Sequence, residues 1–395
     1  MSNKYKLLTG FLILNILTGI CSGIFSIVLP MYVINLGAGA GQVGLVKGIS
    51  GIGALLMVLP SGLLVDNYGS KRLYILGSII SMITTAVLSF LSSPIIIIGA
   101  MLIQGFSNSL RFTSLNASFF GRLKEIGLNK SGWYRGSLSI GLTFIGPFIG
   151  GVLTKYLSYP LIFQIVAVLT IIPCAFILFV DNSKSGSMQK KRKLKEAFLK
   201  SEWIELFQLF KLKDIRNTVI MEGISTACFS TFASFIVVYA VTTMGVDTQQ
   251  ATNFIILEGV AYIMAVFTLG GLMLKYSKRT LYLISSLVMS LGLLLIGAAG
   301  HTIIILSGIV LLGAGTGLLN ILTFSNLGSN QAKKGKISSA LSACTSLGMS
   351  LGPMVSGAIG ELYDYNAIFL SYIPVLLVMV FITQFHNRRL IWARK

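Results

Sequence analysis

Acid is scarce in this sequence, with 12 Asp and Glu against 31 Lys and Arg, and charged residues together make up only 11% of the chain. The two histidines, His301 and His386, form no cluster. The four cysteines, Cys21, Cys174, Cys228 and Cys344, show neither metal-ligand nor redox spacing. A catalytic metal centre or a hydrolytic triad has no raw material here, so an enzyme is not expected. There is no glycine-rich loop of the phosphate-cradling kind either, which excludes ATP as a direct source of energy. No cofactor is expected.

What the chain has in abundance is apolar surface. Hydrophobic residues fill 54% of 395 positions, a share that points to the bilayer as solvent. A helix needs about 20 apolar residues to cross the hydrocarbon core. Such stretches fall at 7–35, 43–65, 72–92, 95–120, 132–156, 160–180, 216–242, 250–274, 280–299, 302–327, 337–360 and 366–386. The first is too long for a removable signal peptide and lacks its cleavage pattern. The net charge of +19 would suit a nucleic-acid binder, but the positions of the cations exclude that reading. All Lys and Arg except Lys47, Arg111 and Lys155 fall in alternate connections or at the ends. By the positive-inside rule both termini and the long central loop are cytoplasmic, in a multi-pass protein of the cell membrane.

The only long polar stretch, 181–213, divides the chain into an N-terminal six-helix bundle, 1–180, and a C-terminal one, 214–395. Within this linker Leu199, Trp203, Leu206, Phe207 and Phe210 recur at helical spacing, with Lys195, Lys200, Glu202 and Glu205 off the stripe. An amphipathic helix on the inner leaflet is expected, with Lys190 to Lys195 adding attraction to lipid headgroups. The two halves repeat one another. Gly146-Pro147-Phe148-Ile149-Gly150-Gly151 returns as Gly352-Pro353-Met354-Val355-Ser356-Gly357, and Met31 to Gly37 returns more loosely as Tyr239 to Gly245. Such repeats imply two bundles related by an axis along the membrane normal, as in alternating-access carriers.

The turn after the second stretch reads Gly62-Leu63-Leu64-Val65-Asp66-Asn67-Tyr68-Gly69-Ser70-Lys71-Arg72. It resembles the signature loop of the major facilitator superfamily, Gly-x-Leu-x-Asp-x-x-Gly-x-(Lys/Arg)-(Lys/Arg). The resemblance implies an all-α fold of twelve transmembrane helices in two six-helix bundles, and a loop that latches the halves together on the inner side. On physical grounds Gly69 permits a tight turn, while Lys71 and Arg72 can pair with Asp66 or with nearby helix ends. In the second half Lys275 stands where the acid would be, so a one-sided latch is expected. Gly146-Pro147-x-x-Gly150-Gly151 resembles the fifth-span motif of the drug:proton antiporter branch. Pro147 is expected to kink that helix, and Gly146 and Gly150, four apart, to admit a neighbour closely, leaving Gly151 the more tolerant position. Gly352, Pro353 and Gly357 form the matching hinge of the eleventh span. The chain departs from the branch in two places. The gap from Gly141 to Gly146 is one residue longer than the pattern, and Met101 stands where the fourth-span arginine would be.

Four charges lie inside spans: Lys47, Arg111, Glu222 and Glu258. A charge in hydrocarbon is costly unless it faces a partner or a cavity, so these four are the candidates for the substrate or proton path. Arg111 and Glu222 lie at similar depth toward the cytoplasmic side, where they can meet across the halves, and Lys47 and Glu258 lie toward the outside. The function the resemblance implies is proton-coupled efflux of small amphipathic or cationic molecules, with the proton as coupling ion. Export of a specific zwitterionic or anionic metabolite, lipid flipping or scrambling on the same scaffold, and a receptor without transport are the rivals. The expected partners are a small-molecule substrate and membrane lipids, with no nucleic acid, and the chain is expected to act as a monomer.

Overall fold

Inside a bilayer every backbone N–H and C=O must find a partner within the protein, and a chain of long apolar stretches meets that demand by forming helices. The structure, a computed structural model, describes residues 3–122, 126, 131–180, 213–298, 300–328 and 334–385. Among these, twelve helical passes follow one another with no strand. In the first half α1 (Asn3–Asn35), α2 (Ala40–Tyr68), α3 (Ser70–Leu88) and α4 (Pro94–Gly121) are unbroken. So are α7 (Lys213–Thr242), α9 (Lys278–Ala298), α10 (Thr302–Gly328) and α11 (Lys334–Leu362) in the second. The other four are segmented. α5 is Ser131–Ser139, a π-helical stretch Ile140–Ile145, and Gly146–Tyr156; α6 is Tyr159–Leu169 and Ile171–Val180. α8 is Thr248–Thr268, the 3-10 turn Leu269–Gly271 and Leu272–Lys275; α12 is Tyr365–Leu370 and Tyr372–Phe385.

The breaks in α6 and α12 share one cause. Pro173 cannot donate to Leu169, nor Pro374 to Leu370, and each helix segment ends at that residue. Ten of the passes are long and apolar enough to cross a membrane by length and composition. The eleventh and twelfth fall outside that group: α11 is rich in Ser and Gly, and Tyr365–Val378 of α12 counts as a shorter apolar helix.

The chain divides into two compact units. The first takes in α1 to α6, except that Gly39–Gly44 at the start of α2 belongs to the second, and it gains Val246–Asn253 from the start of α8. The remainder of α7 to α12 makes up the second unit. Of the linker expected at 181–213, only Lys213 is described, and it opens α7; the rest lies outside the described residues.

One end of the first unit is packed with aromatic side chains. Phe119 stacks on Tyr134 with ring centroids 3.9 Å apart and meets the edge of Phe11 at 5.5 Å, among Leu8, Leu14, Tyr74 and Leu115. In the second unit Leu281, Leu318 and Leu322 join α9 to α10, and Tyr239 meets the edge of Phe369 at 5.5 Å.

The sequence repeat is also a structural one. Gly37 ends α1 with φ +83° and Gly245 follows α7 with φ +67°, the left-handed conformation that lets a helix stop and the chain turn. Small residues mark corresponding helix crossings. A methyl group added at Gly19 would lie 3.0 Å from Gly141 Cα, and one at Gly23 2.9 Å from Gly146 Cα, so α1 and α5 touch backbone to backbone. In the second unit Gly223 and Ala227 of α7 meet Gly348 and Gly352 of α11 in the same way, with Ala227 Cα 3.0 Å from a methyl added at Gly352. Van der Waals contact of this closeness is what holds helices together where apolar burial gives no advantage over lipid.

Candidate functional site

Each of the four intramembrane charges is held by specific neighbours. Arg111 of α4 is 2% exposed, and its Nη1 donates to Ser81 Oγ of α3 at 3.3 Å. It lies in a polar seam between those helices. Tyr74, Ser78 and Ser81 are spaced four and three apart on α3, and Gln104, Ser107, Arg111 and Ser114 share one face of α4, all buried. Gln104 Nε2 donates to Ser81 Oγ at 2.9 Å, and the hydroxyls of Tyr74 and Thr18 of α1 share a hydrogen bond of 2.7 Å. Among the described residues Arg111 Nε and Nη2 have no hydrogen-bond partner.

Glu222 of α7 is 7% exposed and accepts from the side-chain amide of Asn320, on α10, at 2.9 Å. It too adjoins a polar seam, built from Tyr282, Ser285 and Ser286 of α9 with Asn326 of α10 and Thr218 of α7. Asn326 Nδ2 donates to the Tyr282 hydroxyl at 3.0 Å, which in turn reaches Thr218 Oγ1 at 3.5 Å. Tyr282 and Ser286 follow Tyr74 and Ser78 at the same interval that separates Gly245 from Gly37. Sequence reasoning missed both seams, although that shared interval was a usable signal.

Glu258 of α8 is 1% exposed, with Thr316 Oγ1 of α10 3.4 Å from its Oε1. Gly313 lets α10 pass close to α8 there, since an added methyl would lie 2.9 Å from Ala261 Cβ. Lys47 of α2 is half-buried, and its Nζ donates to the backbone carbonyl of Ser26, on α1, at 2.8 Å. Arg111 is thus held within the first unit and Glu222 within the second.

In the signature loop Gly69 adopts φ +87° and is the single residue between the end of α2 and the start of α3. Lys71 Nζ donates to Leu178 O at 3.3 Å, near the end of α6. Arg72 is exposed. Gly62 has open space around it, and Asp66 lies in the last turn of α2.

The fifth-span motif differs from expectation in two respects. The irregularity is a π-helical stretch just before Gly146-Pro147, closed by the Gly146 N–H bonding to Gly141 O. One turn there absorbs the extra residue between Gly141 and Gly146, so the two glycines still meet Gly19 and Gly23. Gly151 is also the tighter position. An added methyl would lie 2.7 Å from Thr252 Oγ1, whereas one at Gly150 would lie 3.3 Å from Ile24 Cα and 3.6 Å from Ile27 Cβ. In α11 Pro353 sits inside an unbroken helix. Gly352 O accepts from the Tyr372 hydroxyl at 3.2 Å, Met349 O from Ser230 Oγ at 3.2 Å, and Gly357 lies against Gly44.

Two helical units with charges and polar seams buried inside membrane-length helices are the organisation of a transporter. The family model described as Major Facilitator Superfamily matches residues 11–324 and 225–389, and the chain belongs to that family. It is 27% identical over 364 residues to a protein of Lactococcus lactis named "Multi-drug resistance efflux pump PmrA homolog", covering 86% of this chain and 84% of that one. It is 33% identical over 161 residues to the Streptococcus pneumoniae "Multi-drug resistance efflux pump PmrA", covering 38% of this chain and 39% of that one. Its fold is similar to the crystal structure of the nucleoside transporter NupG, with a TM-score of 0.79, 20% identity, and 95% and 97% of the two chains covered.

Proposed function

We propose that this transporter exports small amphipathic or cationic molecules across the cell membrane in exchange for protons, with both termini in the cytoplasm. The observation that carries the proposal is the pair of carboxylates buried within membrane helices of one unit, Glu222 beside Asn320 and Glu258 beside Thr316. A carboxylate in such a place can hold a proton or a cation, and exchange of one for the other is antiport. The efflux-pump names of the two relatives support the direction and the substrate class. Arg111 keeps positive charge in the first unit, where it would disfavour a cation lodging deeper in that bundle.

Purified protein in proteoliposomes tests the proposal, with ethidium as the probe. An imposed pH gradient should drive ethidium against its own gradient, and Glu222→Gln or Glu258→Gln should abolish the response. Ethidium flux indifferent to pH, flux of zwitterionic metabolites alone, or exposure of labelled lipid headgroups without any gradient would each overturn it. Orientation is tested separately in a background lacking the four native cysteines. Gln42 and Ser277 are both exposed. A cysteine at Gln42 should react with an impermeant maleimide from outside the cell, and one at Ser277 should not.

A further inference from the structure

A proline within a helix has no N–H, so the carbonyl four residues earlier loses its donor. In a bilayer that deficit is costly, and a neighbouring side chain is one of the means that can meet it. Pro30 lies inside α1 and thereby frees the carbonyl of Ser26. That carbonyl is the atom to which Lys47 Nζ of α2 donates at 2.8 Å. Pro353 lies inside α11 and frees the carbonyl of Met349, and Ser230 Oγ of α7 donates to that oxygen at 3.2 Å. In both units, then, a side chain from an adjacent helix supplies a hydrogen bond where a proline has removed one.

We propose that Lys47 is a positioning residue: its ammonium supplies the hydrogen bond that Pro30 denies to α1, and it holds the course of that helix rather than binding substrate. The chemistry suits the task. A bond from a charged donor is shorter and stronger than a neutral one, and the long lysine stem reaches from α2 to a backbone oxygen of α1. The carbonyl in turn gives the ammonium a partner, which a cation inside hydrocarbon requires. The part of α1 preceding Pro30 carries Gly19 and Gly23, whose backbone contact with α5 depends on the direction in which α1 runs. Ser230 plays the corresponding part for α11, whose preceding turns carry Gly348 and Gly352.

The test is a cycle of variants in which the proline is the suppressor. Pro30→Ala restores an N–H to α1, so Ser26 no longer needs Lys47. Lys47→Met should lower the melting temperature of the purified protein in detergent by roughly 2 °C or more. Lys47→Arg, which keeps a charged donor, should recover most of that loss. In the Pro30→Ala background Lys47→Met should have less than half its effect. A loss of the same size in both backgrounds would overturn the proposal, because Lys47 would then be acting on something other than the freed carbonyl. Should Lys47→Met fail to accumulate, its accumulation when combined with Pro30→Ala supports the proposal. Failure of that combination while Pro30→Ala alone accumulates overturns it. The second cycle, Ser230→Ala with Pro353→Ala, is expected to show the same suppression.

Discussion

The side-chain amide of Asn320 donates to Glu222 at 2.9 Å, joining α10 to the buried carboxylate of α7. A buried carboxylate that loses a donor keeps its desolvation cost without the compensation, about 1–3 kcal/mol. Asn320→Leu should therefore slow ethidium transport about tenfold or more, the rate equivalent of that loss. Glu222→Gln should abolish transport outright, and adding Asn320→Leu to it should change nothing further, since Asn320 acts through Glu222. Transport at the normal rate by Asn320→Leu would remove Asn320 from the path.

The neighbours of Gly150 and Gly151 rank the two glycines. A methyl group at Gly151 meets Thr252 Oγ1 at 2.7 Å, closer than side chains come to one another, while at Gly150 the nearest atom is 3.3 Å away. Overpacking of this kind costs about 1–3 kcal/mol. Gly151→Ala should reduce transport more than Gly150→Ala does, and Thr252→Ala should restore part of the loss by removing the obstructing hydroxyl. Equal rates in the two alanine variants would show that the start of α8 yields freely.

The fold was legible in the sequence because the bilayer imposes a simple rule: each apolar stretch of sufficient length becomes a helix, and ten passes meet it on composition alone. The segmentation of α6 and α12 was not read, although Pro173 and Pro374 announce it through the helical hydrogen bond that each removes. The four charges were found because scarcity makes them conspicuous. Their partners were not, since Ser81, Asn320, Thr316 and the Ser26 carbonyl are brought near only by helix packing across long stretches of chain. The longer gap between Gly141 and Gly146 looked like a departure from the family's pattern, and the π-helical turn shows how the chain accommodates it.

The signature loop separates structural from transport effects. Gly69 has φ +87° and ψ +145°, a conformation essentially confined to glycine, so Gly69→Ala costs about 1–3 kcal/mol and should lower the amount of protein in the membrane. Lys71→Met removes the donor to Leu178 O and should act in the same direction, more weakly. Asp66 is different. An acid in the last turn of a helix opposes the helix dipole, so α2 itself gains nothing from it. Asp66→Asn should leave the amount of protein unchanged while transport falls, and normal transport by that variant would reduce the loop to a topological signal.

The π-helical stretch gives the most discriminating test of how α5 is built. Gly19 and Gly23 are four apart on α1, but Gly141 and Gly146, which lie against them, are five apart on α5. In the second unit both members of the corresponding crossing, Gly223 with Ala227 and Gly348 with Gly352, are four apart on regular helices. The first unit therefore carries one residue more than its crossing needs, and the wide turn at Ile140–Ile145 takes it up. Deleting Phe144, an exposed side chain within that stretch, should convert the turn to regular α-helix while both glycine contacts persist. Such a variant should accumulate in the membrane and melt near the parent temperature. Deleting Phe148, also exposed but beyond Gly146, rotates Gly150 and Gly151 by about 100° relative to the contacts before them and should prevent accumulation. Transport by the Phe144 deletion then reports on the turn itself: a stable protein that no longer moves ethidium would mean that α5 flexes there during the cycle. If the two deletions destabilise the protein equally, the stretch is not a store for an extra residue, and the match between the glycine crossings of the two units has another origin.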